Sequence, residues 1–121
     1  MKKLPKVGAA SLGLAAAIFA VSVRAESDKD AVVKGRALIE TNCRRCHATG
    51  MDDTSRHEEA PPFRVVVTRY PPENLAEALA EGIVSGHPDM PEFVFQPAEI
   101  EAILAYLGTL APSPATAPEK D

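Results

Sequence analysis

Cysteine and histidine stand close together at one point of the chain, in the stretch TNCRRCHATG at residues 41–50. Cys43, Cys46 and His47 match the pattern C-x-x-C-H, which is typical of covalent haem attachment. Two thiols three positions apart lie on neighbouring points of a helical turn, so each can add to one vinyl group of the same porphyrin. The next residue then directs its imidazole at the iron from the same side. The motif predicts one covalently bound haem c, anchored by Cys43 and Cys46, with His47 as an iron ligand.

Three other sites could be built from the same cysteines. A disulfide between Cys43 and Cys46 suits an oxidising compartment but leaves His47 without a role. A thioredoxin-like redox pair needs a βαβ setting, which the pattern of the chain does not predict. A zinc site could combine both cysteines with His57 and His87, again leaving His47 idle. Haem attachment uses all three residues of the motif and is the favoured interpretation.

A second set of iron ligands lies downstream, in the stretch GHPDMPEF at residues 86–93. His87 and Met90 stand three positions apart there, and either could complete the coordination of the iron. A methionine thioether stabilises ferrous iron and raises the reduction potential, whereas a second histidine lowers it. Met51 lies too near the C-x-x-C-H motif to reach the opposite face. His87, between a glycine and a proline, suits a turn residue whose imidazole points to water.

The residues around Met90 favour the methionine as the ligand. Pro88 and Pro91 stiffen the backbone that would present its sulfur. Phe93 and Phe95 follow closely enough to line the methionine side of a haem. The sequence thus predicts His47 and Met90 as the two iron ligands.

The elements that must position these ligands are predicted to be helices. From about Asp30 to Asn42 the apolar residues follow a helical repeat, and Gly35 lies within the same stripe. A glycine inside a helix costs about 1 kcal/mol relative to alanine, so Gly35 predicts the close approach of another segment. Residues 48–62 are predicted to form a polar loop. The apolar stripe consists of Val32, Val33, Leu38 and Ile39.

Two further helices are predicted in the second half of the chain. Pro72 suits the first turn of a helix that runs to about Glu81. In that helix Leu75 and Leu79 face inward. Pro97 begins the last helix, whose apolar residues keep a clean helical spacing. These residues are Ile100, Ile103, Leu104, Leu107 and Leu110.

The stretch FRVVVTRY at residues 63–70 is ambiguous. Its three adjacent valines favour a strand, yet no second strand is predicted nearby to pair with it. A short helix and an irregular segment both remain open. Three main helices separated by two long loops predict an all-α fold. Loops of this length in a small domain usually carry function or wrap a ligand.

The first 25 residues predict a cleaved secretory signal peptide. Three lysines give a basic start, residues 7–21 are apolar and mostly small, and Val23 and Ala25 suit a signal peptidase. An uncleaved membrane anchor is the alternative, but this stretch is largely alanine and glycine. It is also short for a span of about 20 strongly apolar residues. Cleavage after Ala25 would place the mature protein in the periplasm.

The mature chain is predicted to hold one small domain at residues 26–110, followed by a disordered Pro/Ala-rich tail at residues 111–121. Losing residues 1–25 removes four of the thirteen basic residues and none of the seventeen acidic ones, which leaves a net charge of −8. So acidic a domain is a poor candidate for binding nucleic acid or anionic lipid. The full chain has no Trp, four Phe and two Tyr, so the core of the domain is thin and a cofactor is expected to fill it.

These features together resemble the class I cytochromes c, over about residues 30–110. The shared elements are a helix leading into C-x-x-C-H, a methionine on a downstream loop and an amphipathic last helix. The resemblance implies three main helices wrapped around one covalently bound haem. It also implies that a glycine of the first helix faces an aromatic residue of the last. Gly35 and Tyr106 match those positions.

The same resemblance implies roles for individual residues at the haem. Pro61 in EAPPF is the best match for a proline whose backbone carbonyl accepts a hydrogen bond from His47, with Pro62 as the other candidate. Such a bond fixes the ring tautomer and raises the basicity of the ligand. The Met-Pro pair with an aromatic soon after it favours Met90 as the second ligand and Phe93 as a haem contact.

A class I cytochrome c with two strong ligands is expected to act as an electron carrier rather than an enzyme, because no coordination site is left for a substrate. The expectation is a soluble periplasmic carrier of single electrons between a dehydrogenase or quinol-oxidising complex and an oxidase or reductase. A dedicated haem subunit of one oxidoreductase complex is an alternative. A gas sensor or peroxidase-like protein with a labile sixth ligand is another.

The partners of such a carrier are expected to be redox proteins that bind transiently to a monomer or to a small subunit. Five arginines lie near the motif in sequence. They either form a basic rim in an acidic molecule or pair with Glu58, Glu59 or the haem propionates, and an apolar docking face is the remaining alternative. The arginines are Arg44, Arg45, Arg56, Arg64 and Arg69.

Overall fold

The computed structural model describes residues 2–3, 12–83 and 87–112, with the side chains of 12–26 excepted. Its helices are α1 (Leu12–Asn42), α2 (Phe63–Arg69), α3 (Ala76–Glu81) and α4 (Pro97–Leu110), and a 3-10 turn at Pro72–Leu75 precedes α3. The described residues form no β-strand, which confirms the all-α fold. The predicted three main helices become four, because residues 63–69 also form a helix.

Two predictions concern residues at the ends of the chain. α1 begins at Leu12, well before the predicted start near Asp30, and runs without a break through Ala25. Residues 1 and 4–11 of the predicted signal peptide, and residues 113–121 of the predicted tail, lie outside the described residues. Cleavage after Ala25 and disorder of the tail therefore stay predictions. No helix in the described part of the chain combines the length and apolar content that a membrane crossing demands.

α2 forms despite the three valines that favour a strand. Pro62 precedes it with extended backbone angles (φ −57°, ψ 142°), and the Pro62 carbonyl accepts hydrogen bonds from the amides of Val65 and Val66. Val67 faces the core and is buried. A strand here would have no partner among the described residues, whereas a helix satisfies its own backbone and packs against α4. Tertiary packing has overridden the local preference.

α1 and α4 cross at close range and make the most extensive helix contact in the molecule. At Gly35 a Cβ atom would lie 1.8 Å from the carbonyl oxygen of Ala102. The close approach predicted from Gly35 is thereby confirmed. Its nearest atoms belong to Ala102 and Ile103 rather than to Tyr106, which stands one turn further along α4. Tyr106 instead donates its hydroxyl to the Thr49 carbonyl over 2.7 Å, tying α4 to the first loop.

The core lies between α4 and the other helices. Most residues predicted to face it are buried or half-buried, but Val33 is 68% exposed, contrary to its predicted place in the apolar stripe. Val32 and Val33 are adjacent, so a helix cannot turn both toward one partner, and Val32 packs inward instead. The buried core side chains are Ile39, Val67, Leu79, Phe95, Ile100, Ile103, Tyr106, Leu107 and Leu110.

Candidate haem-binding site

The C-x-x-C-H motif lies directly after α1, in a turn that extends its last hydrogen bonds. The Cys43 amide donates to the Ile39 carbonyl over 2.8 Å. The Cys43 carbonyl then accepts from the amides of Cys46, over 3.1 Å, and His47, over 2.9 Å. Both thiols are free and half-buried. The turn therefore presents two unoxidised thiols at the spacing that two thioether bonds to one porphyrin require.

Two other uses of the motif are not seen among the described residues. Burial raises the pKa of the Cys43 thiol to about 11, so without a bound group it is a protonated thiol at neutral pH. No disulfide joins Cys43 to Cys46. Within residues 2–3, 12–83 and 87–112, no three His, Cys, Asp or Glu side chains are arranged to hold a metal ion. The zinc alternative finds no support in this geometry.

His47 is oriented by the segment that leads into α2. Its Nδ1 lies 2.7 Å from the backbone oxygen of Pro61. A carbonyl oxygen only accepts, so Nδ1 carries the proton and the neutral ring keeps its lone pair on Nε2. The Phe63 ring stacks on the imidazole, with centroids 4.9 Å apart and planes 15° apart. The acceptor is Pro61 rather than Pro62, and the ring is held so that Nε2 is the nitrogen available to iron.

The first loop, residues 48–62, is held by a carboxylate at its centre. Asp53 accepts hydrogen bonds from the amides of Thr49 and Gly50, each over 2.9 Å. The bond from Thr49 contributes most to lowering the pKa of Asp53 below its ordinary value of 3.8. Arg64 closes the loop from α2 by donating to the carbonyls of Gly50, over 3.2 Å, and Asp53, over 2.9 Å. The loop that supports His47 is therefore well ordered despite its polar composition.

Met90 lies in the second loop, residues 82–96, whose base is attached to the core. The Phe95 amide donates to the Leu79 carbonyl over 2.9 Å, and the Phe95 side chain is buried. Phe93, the predicted haem contact, is half-buried and stacks on Phe95 with centroids 6.0 Å apart. Gly82 opens the loop at φ 103°, which favours glycine.

The two histidines outside the motif are not merely turn residues facing water. His87 contacts the carboxylate of Glu59 through Nε2, and its side chain is 33% exposed. His57 lies 3.4 Å from the Asp89 carboxylate, also through Nε2. The prediction that the His87 imidazole points to water is wrong. The two histidines and their carboxylate partners lie in two segments far apart in sequence, residues 57–59 and 87–89. Only the folded loops bring these segments together.

These residues fit a covalently bound haem. Cys43 and Cys46 offer the two thiols, and His47 offers a lone pair fixed on Nε2 by its bond to Pro61. Met90 would supply the second axial ligand from the other loop. Once bound, such a group supplies a one-electron change of its iron. Sequence reasoning missed Phe63, whose stacking on His47 depends on α2 being a helix.

Comparison with known proteins agrees with this geometry. Residues 30–107 match the family model described as cytochrome c oxidase, cbb3-type, subunit III. The chain is 32% identical to cytochrome c-552 of Bradyrhizobium diazoefficiens over 78 residues, which cover 64% of this chain and 73% of that protein. No solved structure matches the chain significantly. The family model spans more than half of the chain, and the resemblance to cytochromes c is confirmed: the protein belongs to the c-type cytochromes, which carry covalently bound haem c and transfer electrons.

Proposed function

We propose that the protein is a periplasmic monohaem cytochrome that carries single electrons between a dehydrogenase or quinol-oxidising complex and an oxidase or reductase. The observation that carries this proposal is the turn at residues 43–47, in which two free thiols precede an imidazole whose Nδ1 donates to the Pro61 carbonyl. With only two cysteines, the chain offers one attachment site and therefore one haem.

Each residue of the site has a defined task in this proposal. Cys43 and Cys46 hold the haem covalently, so a small domain keeps it at any dilution. Pro61 fixes the tautomer of His47 and makes the imidazole a stronger donor to iron. Met90 would supply the second ligand to the iron, and a thioether ligand favours the ferrous state. An iron held by both His47 and Met90 would leave no site for a substrate, which suits a carrier.

The experiment that tests the proposal replaces the two methionines of the described loops in turn. The protein is produced with haem attached, and its oxidised spectrum is searched for the weak long-wavelength band of methionine bound to ferric iron. Met90→Leu is expected to abolish the band and to let the reduced protein bind carbon monoxide. Met51→Leu is the matched control, because Met51 is 57% exposed beside the motif and should leave both properties unchanged.

The same spectra decide between the carrier and a sensor or peroxidase-like protein. A wild-type protein that lacks the band, or binds carbon monoxide at neutral pH when reduced, would overturn the carrier proposal. The centre would then have a labile or open sixth position. If His87 were the second ligand, the wild-type protein would also lack the band. In that case Met90→Leu would leave the spectrum unchanged, and the absence of carbon monoxide binding would distinguish His87 ligation from an open site.

A second candidate is a dedicated haem subunit of one oxidoreductase complex. It is favoured by the matching family model, which describes a subunit of a cbb3-type oxidase. The two candidates differ in what accompanies the protein when it is extracted from its own cells at physiological salt. A carrier elutes with the mass of one chain, whereas a subunit elutes with partners in fixed ratio. The mass also shows whether residues 1–25 have been removed.

We further propose that partners dock on exposed arginines around the attachment motif. Arg45 directly precedes Cys46, and Arg56 precedes His57, whose amide donates to the Cys46 carbonyl over 3.1 Å. Arg44, Arg45 and Arg56 are exposed and form no ion pair within the part of the chain that the structure describes. Arg64 differs, because it is engaged with Asp53. A basic surface of this kind favours a partner with an acidic docking face.

A further inference from the structure

The two loops that flank the site are joined at their tips by histidines and carboxylates. The first loop carries His57 and Glu59, and the second carries His87 and Asp89, so each contributes one residue of each kind. They pair crosswise: His87 contacts Glu59, and His57 Nε2 lies 3.4 Å from Asp89 Oδ2. The two imidazole rings meet edge to face with centroids 5.5 Å apart. We call these four residues the loop tie.

A backbone contact prepares His57 for its part in the loop tie. The Glu59 amide donates to His57 Nδ1 over 3.3 Å. A nitrogen that accepts a hydrogen bond carries a lone pair, so the proton of the neutral ring is on Nε2, the atom that faces Asp89. In that tautomer Nε2 can donate a hydrogen bond to the Asp89 carboxylate. Glu59 thus acts twice, through its amide on His57 and through its carboxylate on His87.

The loop tie acts on the turn that presents Met90. The Met90 amide donates to the His87 carbonyl over 3.2 Å, which closes a four-residue turn from His87 to Met90. The first and third residues of that turn, His87 and Asp89, are the two that the first loop grips. The base of the second loop is held separately, by the bond from Phe95 to Leu79 and by Glu92 lying against Gly82. The loop tie joins the tip of the second loop to the first loop.

We propose that His57 and Glu59 are positioning residues that keep Met90 in place as the axial ligand. The inference rests on the proposed function, in which Met90 binds the iron. A thioether is a weak ligand for ferric iron, so its occupancy depends on how firmly the backbone holds the sulfur in position. Without the loop tie, the tip can swing outward on its fixed base, and an added ligand then displaces Met90 more easily.

The test measures how tightly imidazole binds to the oxidised haem protein. Binding is monitored through the loss of the methionine–iron absorption band. Glu59→Ala and the double variant His57→Ala/Glu59→Ala remove the loop tie from the first loop only, leaving residues 82–96 unchanged. Both carboxylates are about two-thirds exposed, so each contact is modest. We expect imidazole to bind about threefold more tightly to the single variant and about tenfold more tightly to the double variant.

Glu58→Ala is the matched control, because Glu58 lies between the two residues, carries the same charge and makes neither contact. It should stay within about twofold of wild type. If Glu59→Ala, the double variant and Glu58→Ala all bind imidazole as wild type does, the loop tie has no effect on Met90 and the inference is wrong. Ligation by His47 and Met90 would not be contradicted by that result. An equal rise in the control would overturn the inference too, since it would show general loosening of the loop. Absence of the band from the wild-type protein would instead overturn the proposed function.

Discussion

The neighbouring carboxylates of Asp52 and Asp53 contribute differently to the first loop. Asp53 accepts two backbone hydrogen bonds and faces Arg64, whereas its exposed neighbour Asp52 accepts neither bond. Composition alone describes both as polar loop residues. The difference arises because Asp53 stands three residues after Gly50, where its carboxylate can reach back to two successive amides.

Asp53 should make part of the stability depend on acid pH. Its pKa is lowered in the folded protein, so the carboxylate stabilises the fold above the ordinary value of 3.8 and loses that contribution as the pH falls below it. Asp53→Asn is expected to lower the denaturant midpoint at pH 7 and to reduce the further drop between pH 5 and pH 3. Urea unfolding of the oxidised haem protein at several pH values measures both effects.

Asp52→Asn controls for the change in net charge and should follow the wild-type curve. If Asp53→Asn and Asp52→Asn lose equal stability at pH 7, the two backbone bonds to Asp53 contribute nothing specific.

Residue types and spacing predict the attachment site much better than they predict the contacts between loops. Cys43, Cys46 and His47 are neighbours in sequence, so the motif is legible before any fold is known. The Pro61 contact came from the family resemblance, which already contains the fold. The pairing of His57 with Asp89 joins residues 32 positions apart, and no local pattern encodes it. It appears only once α3 and α4 fix where the second loop begins and ends.

The crossing of α1 and α4 leaves no room for a side chain at position 35. A Cβ at position 35 would overlap the Ala102 carbonyl, which belongs to a helix backbone and cannot turn aside. Gly35→Ala is therefore expected to lower the free energy of unfolding by about 2–3 kcal/mol. Denaturant unfolding of the haem protein, read by circular dichroism, gives this value.

Gly108→Ala supplies the comparison, because Gly108 is also helical and a Cβ there meets nothing within 4 Å. Alanine at that exposed position should raise stability by about 0.5–1 kcal/mol through its higher helix propensity. A loss of unfolding free energy for Gly35→Ala together with a gain for Gly108→Ala would support the crossing geometry. A stabilising Gly35→Ala would contradict it.

The predictions for whole elements succeeded where periodicity was strong. α4 begins at Pro97 and ends at Leu110, as its proline and apolar spacing indicate. α2 is the counterexample: seven residues with three valines carry too little periodicity to choose a state, and burial of Val67 against the core decides it. The sequence did not predict the part of α1 before Asp30, because residues 12–25 fall in the predicted signal peptide and residues 26–29 are polar and show no apolar repeat.

For the whole molecule, the sign of the net charge and the sign of the charge around the motif are opposite. The full chain has a net charge of −4, and removal of residues 1–25 would make it −8, so the molecule should repel anions. Exposed Arg44, Arg45 and Arg56 should attract them locally. Two small oxidants of opposite charge separate the effects. We expect ferricyanide to oxidise the reduced protein with a rate that falls as salt is added. A cobalt(III) phenanthroline cation should show the weaker salt dependence.

Arg45→Gln should lower the ferricyanide rate by about two- to fivefold at low ionic strength. Lys34→Gln, which removes one positive charge from the exposed side of α1, should change it much less. Equal effects of the two substitutions would mean that only the net charge matters, and the arginine docking surface would have to be abandoned.

The contact between Gly35 and Ala102 also bears on the order in which the chain folds. It joins positions more than half the chain length apart, so the loop it closes is long and forms late, after the chain has emerged as far as α4. The two thiols belong to the earlier half of the chain and are half-buried in the folded structure. Before α4 has packed, we expect both thiols to be open to solvent, so that haem can join the chain before the last helix folds over it.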